Sequence, residues 1–185
     1  IALVLLWFWR GYGELRRLAN RFTNAITRLG LVRGDRLFVL APRLPELYAA
    51  VLGGLKCGAA VSPLFSAFGP EPLKTRINLG AGKLLVTTDA LYERKVKKVA
   101  GEMPTLKHVL CVDSAEARAQ VESASERFAI ERTGPEDPSF LHFTSGTTGM
   151  PKGAVHVHGA VAMHYATGQV ALDLHDDDVF WCTAD

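Results

Sequence analysis

A chain of 185 residues has room for one domain with a real hydrophobic core, or for part of a larger one. With 48% hydrophobic and 22% charged residues it reads as a folded globular chain and excludes a disordered one. A formal net charge of +2, with no basic run interleaved with aromatics, excludes a nucleic-acid-binding surface.

The chain opens on Ile1 and an apolar run of nine residues, IALVLLWFW. A bilayer span needs about 20, so no membrane partner is expected. The run also lacks the basic flank and cleavage site of a secretory signal. It reads as a buried strand, or as the divergent end of a fragment. Leu15, Leu18, Phe22, Ile26 and Leu29 then recur every three or four residues, with Arg16, Arg17, Asn20, Asn24 and Arg28 between them. That spacing predicts an amphipathic helix with the asparagines on its polar side, capped by Gly30. Gly34-Asp35 makes a turn, and Arg36 to Ala41 is a short apolar strand ended by Pro42 and Pro45. Glu46 to Cys57 is a helix in which Gly53 and Gly54 suit close packing. Ala59 to Leu64 is a second strand.

The alternation continues. Glu71 to Leu79 is a helix, Lys83 to Thr88 a strand, and Ala90 to Ala100 a helix with ERKVKK on its outer face. His108 to Asp113 is a strand. Ser114 to Glu126 is a surface helix or a mobile connection, and Pro135 to Pro138 is a break. Strands alternating with helices at this pitch predict an α/β fold, a largely parallel sheet flanked by helices. The three cysteines, Cys57, Cys111 and Cys182, lie far apart and form no CxxC pair. They read as reduced thiols of a cytoplasmic protein. Nothing in the sequence speaks to oligomeric state.

The chemistry is concentrated after residue 139. Phe140 to Phe143 reads as a strand that runs into Thr144, Ser145, Gly146, Thr147, Thr148, Gly149, Met150, Pro151, Lys152 and Gly153, before a strand resumes over Ala154 to Val157. Four hydroxyls, three glycines and one lysine fall within those ten residues. Glycines let backbone N–H groups approach an anion, hydroxyls donate to phosphate oxygens, and a lysine follows a mobile charge. The hydrolase-type phosphate loop GxxxxGK[ST] does not fit. Counted from Gly146, its second glycine falls on Pro151, and its Mg²⁺-binding hydroxyl falls on Gly153.

TSGTTGMPKG resembles the signature of the adenylate-forming (AMP-binding) superfamily, which includes acyl-CoA synthetases, luciferases and peptide-synthetase adenylation domains. YGELRRLANRF, LGLVRGDRL, PRLPELYAAVLGGLKCGAAVSPLFSAFGPE, LHFTSGTTGMPKGAVHVHGA and DDDVFWCTAD are similar to acetyl-CoA synthetases and their close relatives. The resemblance implies a two-step reaction. A carboxylate, here a short one such as acetate, attacks the α-phosphate of Mg-ATP to give an acyl-adenylate, and the thiol of coenzyme A then displaces AMP. It implies ATP, Mg²⁺ and coenzyme A as cofactors and a small carboxylate as substrate. By the family's motif, Thr144, Ser145, Gly146, Thr147, Thr148, Gly149 and Lys152 bind the β- and γ-phosphates. Phe65, Ser66 and Ala67 match a segment that contacts the nucleotide end of coenzyme A, although relatives carry glycines where this chain has Ser66 and Ala67. Arg94 matches a phosphate-binding position, and Lys97, three residues on, would share its helix face.

The same resemblance implies that residues 1–185 are part of an N-terminal AMP-binding domain. Residues 1–10 are a divergent end, 11–134 an α/β substructure and 135–185 the phosphate-loop region. The acid that ligates Mg²⁺, the ribose-binding aspartate and a small C-terminal domain with its lysine are expected beyond Asp185, so this stretch alone is expected to be nearly inactive. No catalytic nucleophile and no metal ligand are assigned within it. His142, His156, His158 and His164 make no recognised metal spacing. Asp176, Asp177 and Asp178 read as a solvated turn after a helix, and Trp181 as a buried strand residue. Two other readings remain open: a non-catalytic nucleotide- or CoA-binding module of the same ancestry, and an adenylating enzyme that loads a carrier protein.

Overall fold

A computed structural model describes residues 11–144, 150–175, 177 and 178. The readings of the first nine residues, of Ser145 to Gly149, of Asp176 and of Trp181 and Cys182 fall outside the described residues.

Helix α1 (Tyr12–Arg28) follows the predicted stripe, burying Ala19, Phe22, Ala25 and Ile26. It stops at Gly30, which takes φ +86°, a conformation that costs a residue without Cβ little. The N–H of Gly30 donates to the Thr27 carbonyl (2.9 Å) and that of Leu31 to the Ile26 carbonyl (3.2 Å). This double closure is a Schellman cap. The polar side of the helix differs from the sequence expectation. Asn20 is buried, because the chain after residue 123 lies across that side. Its side-chain N–H donates to the Glu126 carbonyl (2.7 Å), and Asn24 donates to the carbonyls of Ser125 (2.9 Å) and Arg127 (3.0 Å).

Strands β1 (Arg36–Leu40), β2 (Ala60–Pro63), β3 (Leu84–Thr87), β4 (His108–Cys111), β5 (Pro138–Thr144) and β6 (Lys152–Val157) form one sheet in the order β4-β3-β1-β2-β5-β6. The first five run parallel, and β6 returns antiparallel to β5 as a hairpin at the edge. The predicted largely parallel sheet is present, with this antiparallel edge added. The helices between strands are α2 (Pro45–Lys56), α3 (Pro70–Leu79) and α4 (Ala115–Glu122); α5 (Gly159–Ala171) follows the hairpin.

Alternation along the central strands divides the core between the two faces of the sheet. Leu37, Val39, Val61, Leu84 and Val86 pack with residues of α1, α2 and α4. Phe38, Leu40 and Leu85 pack with Leu73 and Ile77 of α3 and with Leu91, Val96 and Val99. Strands covered on both faces are apolar throughout, which is why β1 and β3 read as continuous hydrophobic runs. The hairpin and α5 differ: β6 is exposed over Lys152 to His156, and α5 buries none of its residues. Among the described residues, no helix is long and apolar enough to cross a membrane.

The hairpin is tied to the body at its base. Arg33 pairs with Asp137 at 2.6 Å, and the Gly134 N–H donates to the same carboxylate oxygen at 2.8 Å. That N–H first, and then the Arg33 guanidinium, hold the Asp137 carboxyl below its ordinary value. A depressed carboxylate contributes stability that is present above its unfolded value, about 3.9. That contribution is lost as pH falls through the lower folded value. The urea midpoint of the parent should therefore exceed that of Asp137→Asn near neutral pH. The gap should narrow from about pH 4 downward. A constant gap from pH 6 to pH 3 would remove the charge-based account.

Candidate functional site

Parallel strands β2 and β5 are neighbours, so the chain leaves both at the same sheet edge. From β2 it enters residues 65–68, and from β5 it enters the hydroxyl- and glycine-rich loop. The carboxyl edge of a parallel sheet, where the strand order reverses, is where α/β folds gather their ligands. Here the crossover from β1 to β2 runs one way along the sheet, and that from β2 to β3 runs back past β1.

Of the predicted phosphate residues, Thr144 and Lys152 are described. Thr144 ends β5, Lys152 begins β6, and the two are direct partners in the antiparallel ladder. Both side chains are exposed. A hydroxyl and an ammonium thus flank the root of the loop at a position fixed by backbone hydrogen bonds. Behind them Phe143 stacks on Phe38 (centroids 6.2 Å apart), anchoring the end of β5 to the core. Gly153 lies against Leu141, whose Cδ1 would stand 3.1 Å from an added Cβ. A groove of about 540 Å³ runs beside this ladder between the hairpin and the end of α3, lined by Leu79, Gly80, Leu141, Phe143 and Lys152 among others.

The segment after β2 is a braced turn. The Phe68 N–H donates to the Phe65 carbonyl (3.0 Å), and the Phe65 and Phe68 rings meet edge to face at 5.7 Å. The Arg76 guanidinium lies over the Phe68 ring at 4.2 Å, a cation–π contact. Phe65 is 53% exposed, so it is no core residue; Ser66 is half-buried and Ala67 exposed.

The predicted regular helix over Ala90 to Ala100 is not what forms. One helical turn (Asp89–Leu91) passes into a π-helical stretch (Tyr92–Val96), and a 3₁₀ turn (Ala100–Glu102) follows. Leu91 and Val96, five apart, are both buried, and the Lys97 N–H donates to the Tyr92 carbonyl at 2.9 Å. A π turn puts residues five apart on one face, whereas an α-helix would have placed Lys95 on the face of Leu91. Arg94 and Lys97 therefore do not share a regular helix face. Arg94 is exposed, and Lys97 pairs with Glu93 at 2.7 Å in solvent.

The residue this segment brings to the 65–68 turn is Lys95, which the sequence reading passed over. Its ammonium donates to the carbonyls of Ser66 (2.6 Å) and Phe68 (2.7 Å). Desolvation, and then the charge of Arg94, lower its pKa from the ordinary lysine value. The one signal available beforehand was the Leu91–Val96 spacing, which is out of phase with a 3.6-residue repeat.

β6 ends at Val157, so His158 lies beyond the strand that carries His156. The His142 and His156 rings meet at 5.3 Å across the hairpin, and burial followed by the charge of His156 lowers the His142 pKa. Among the described residues no group of three His, Cys, Asp or Glu could hold a metal ion. Desolvation raises the pKa of Cys57, and desolvation followed by Asp89 pushes that of Cys111 up to about 12. Both thiols stay protonated at neutral pH, so neither is an activated nucleophile.

A family model described as AMP-binding enzyme matches residues 1–185. The acetyl-coenzyme A synthetase of Bacillus subtilis (strain 168) is 40% identical over 183 residues, which covers 94% of this chain and 32% of that protein. The acetyl-coenzyme A synthetase of Deinococcus radiodurans is 36% identical over 196 residues, with 94% and 30% covered. Among solved structures, the Brucella canis acyl-CoA synthetase superposes with a TM-score of 0.82 at 31% identity over 93% of this chain and 32% of that one. The N-terminal domain of FACL13 from Mycobacterium tuberculosis gives 0.75 at 27%, over 82% and 38%. The chain thus spans about a third of the length of the curated relatives it matches. With the match running over all its residues, the chain belongs to the AMP-binding enzyme family.

Proposed function

We propose that the protein carrying this chain joins a short carboxylic acid, acetate foremost, to coenzyme A by way of an acyl-adenylate. The observation that carries the reading is the ladder pair of Thr144 and Lys152 at the root of the signature loop. In the first step a carboxylate oxygen attacks the α-phosphorus of ATP, and the bond to the bridging oxygen of the β-phosphate breaks. Pyrophosphate leaves with its charge increased. The loop residues Thr144, Ser145, Gly146, Thr147, Thr148 and Gly149 would donate to the β- and γ-phosphate oxygens, and Lys152 would follow the charge that develops on the leaving group. This is positioning and electrostatic stabilisation, with no covalent bond to the protein. In the second step the thiol of coenzyme A attacks the acyl carbon and AMP leaves. Phe65, Ser66, Ala67, Arg94 and Lys97 would meet the nucleotide end of that substrate.

Mg²⁺ would neutralise charge on the triphosphate. The donors at the loop root, a hydroxyl and an ammonium, suit phosphate oxygens; a hard divalent cation takes oxygen ligands, chiefly carboxylates, carbonyls and water. No ligand for the ion is therefore assigned in this chain. Residues 11–134 would form the α/β substructure that carries the coenzyme A surface, and residues 135–185 the phosphate-loop region. Both share one sheet, since β5 pairs with β2.

The test is exchange of labelled pyrophosphate into ATP with acetate, propionate and butyrate, using the protein that carries this chain. Exchange is expected with acetate and should fall as the acid lengthens. A preference for butyrate would overturn the choice of acid. Absence of exchange with every carboxylate would overturn the ligase reading, and nucleotide binding without exchange would mark a non-catalytic module.

A further inference from the structure

The Phe65–Phe68 turn is short, lies at the sheet edge, and leaves Phe65 largely exposed. A turn in that position needs contacts from outside itself to fix its shape. Two of its carbonyls, those of Ser66 and Phe68, converge on one ammonium, that of Lys95, at 2.6 and 2.7 Å. Hydrogen bonds from a charged donor are among the stronger ones a loop can receive. The π-helical stretch is what delivers Lys95: the extra residue in its turn sends Val96 into the core beside Leu91 and leaves Lys95 next to the turn. Single π turns recur at functional sites, and this one has a definite local product.

The arrangement also has an electrostatic consequence. Carbonyl oxygens repel anions, and coenzyme A carries phosphates on its nucleotide end. Lys95 engages two carbonyls of the turn and adds a positive charge behind it. The ring of Phe68, held under Arg76, also supports Phe65 edge to face. We propose that Lys95 is a positioning residue for the second half-reaction: it holds the 65–68 turn in the shape that receives the nucleotide end of coenzyme A. It acts through Ser66 and Phe68 and does not itself touch the substrate. The inference rests on the reading above that Phe65, Ser66 and Ala67 meet coenzyme A.

The experiment uses the protein that carries this chain, with the two half-reactions measured separately. Lys95→Met should raise KM for coenzyme A about tenfold, the scale of one charge-assisted hydrogen bond. Acetate-dependent pyrophosphate exchange should stay within about twofold of the parent, because the turn is not assigned to the first step. Lys95→Arg, which can still donate to both carbonyls, should recover most of the loss. Phe65→Ala should also raise KM for coenzyme A. The double variant should be less than the product of the two, since both changes act on one turn.

An unchanged KM in Lys95→Met, with Phe65→Ala raising it, overturns the role of Lys95 and leaves the coenzyme A surface standing. No effect of Phe65→Ala overturns that surface, and the inference with it. An equal fall in both half-reactions for Lys95→Met, unrepaired by arginine, marks a general fold defect and likewise overturns the proposal.

Discussion

Lys152→Ala should slow acyl-adenylate formation by about a hundredfold, the scale set by removing one preorganised donor from a developing anion. The reason lies in where the charge goes. As pyrophosphate leaves, negative charge accumulates on the β- and γ-phosphates, and a cation at the loop root is worth more then than in the ground state. Lys152 is the first residue of β6, and its backbone is held opposite Thr144 by the ladder, while its side chain is exposed and free to follow the phosphates. Truncating an exposed side chain at a strand end should change stability little, so the variant reads chemistry and not folding. Single-turnover measurement of pyrophosphate release gives the first step. Thioester formation from supplied acyl-adenylate gives the second, which should change by less than about threefold because the β- and γ-phosphates have already left. An unchanged first step would remove the phosphate role assigned to Lys152.

The second large effect concerns stability. Gly54→Val should cost about 3 kcal/mol, at the upper end of what overpacking a core does. A Cβ at Gly54 would stand 2.6 Å from Cδ2 of Leu37 and 2.8 Å from Cγ2 of Val61. Both neighbours are fully buried strand residues, and Val61 is β-branched, so neither can swing away without moving the sheet. The gain in helix propensity from glycine to valine, about 0.4 kcal/mol, is too small to offset this. Gly53 makes the contrast. Its added Cβ would meet backbone atoms of α1, Thr23 N at 3.2 Å and Ala19 O at 3.3 Å, a tight contact but not an overlap. Gly53→Ala should therefore sit near neutral, with propensity and crowding of similar size. Urea midpoints of the two variants test the ordering. Gly54→Val combined with Leu37→Ala should cost less than the sum of the two single changes, because the deletion opens part of the space that valine needs. Equal stability of Gly54→Val and the parent would contradict the close packing of α2 on β1 and β2.

The glycine pair shows how much a one-dimensional reading can carry. Two adjacent glycines in an otherwise good helix pointed to a close approach, and the structure places α1 against one and the sheet against the other. The strand–helix alternation was equally legible, because β1 to β3 are buried on both faces and leave continuous apolar runs. The hydroxyl- and glycine-rich segment stood out by composition alone, and the proposal of a phosphate role for it needs no fold to state. Three features were not legible. Asn20 and Asn24 read as a solvated face because the chain that covers them comes about a hundred residues later. The segment after Leu91 read as an ordinary helix because its charged residues look alike, and only the burial of Val96 beside Leu91 selects the wider turn. The hairpin's antiparallel return was hidden because Ala154 to Val157 has the same strand character whichever way it runs.

The sequence by itself therefore determined the class of fold and the α1 stripe with its Gly30 cap, since each depends on residue types at short separation. The tertiary structure alone decided that the loop root and the 65–68 turn leave the sheet at one edge, and that Thr144 and Lys152 face each other across a ladder. It also decided that Lys95, rather than Arg94 or Lys97, reaches that turn. Each of these is a long-range juxtaposition set by strand order and by which apolar residue wins a place in the core. Neighbours along the chain do not encode that competition.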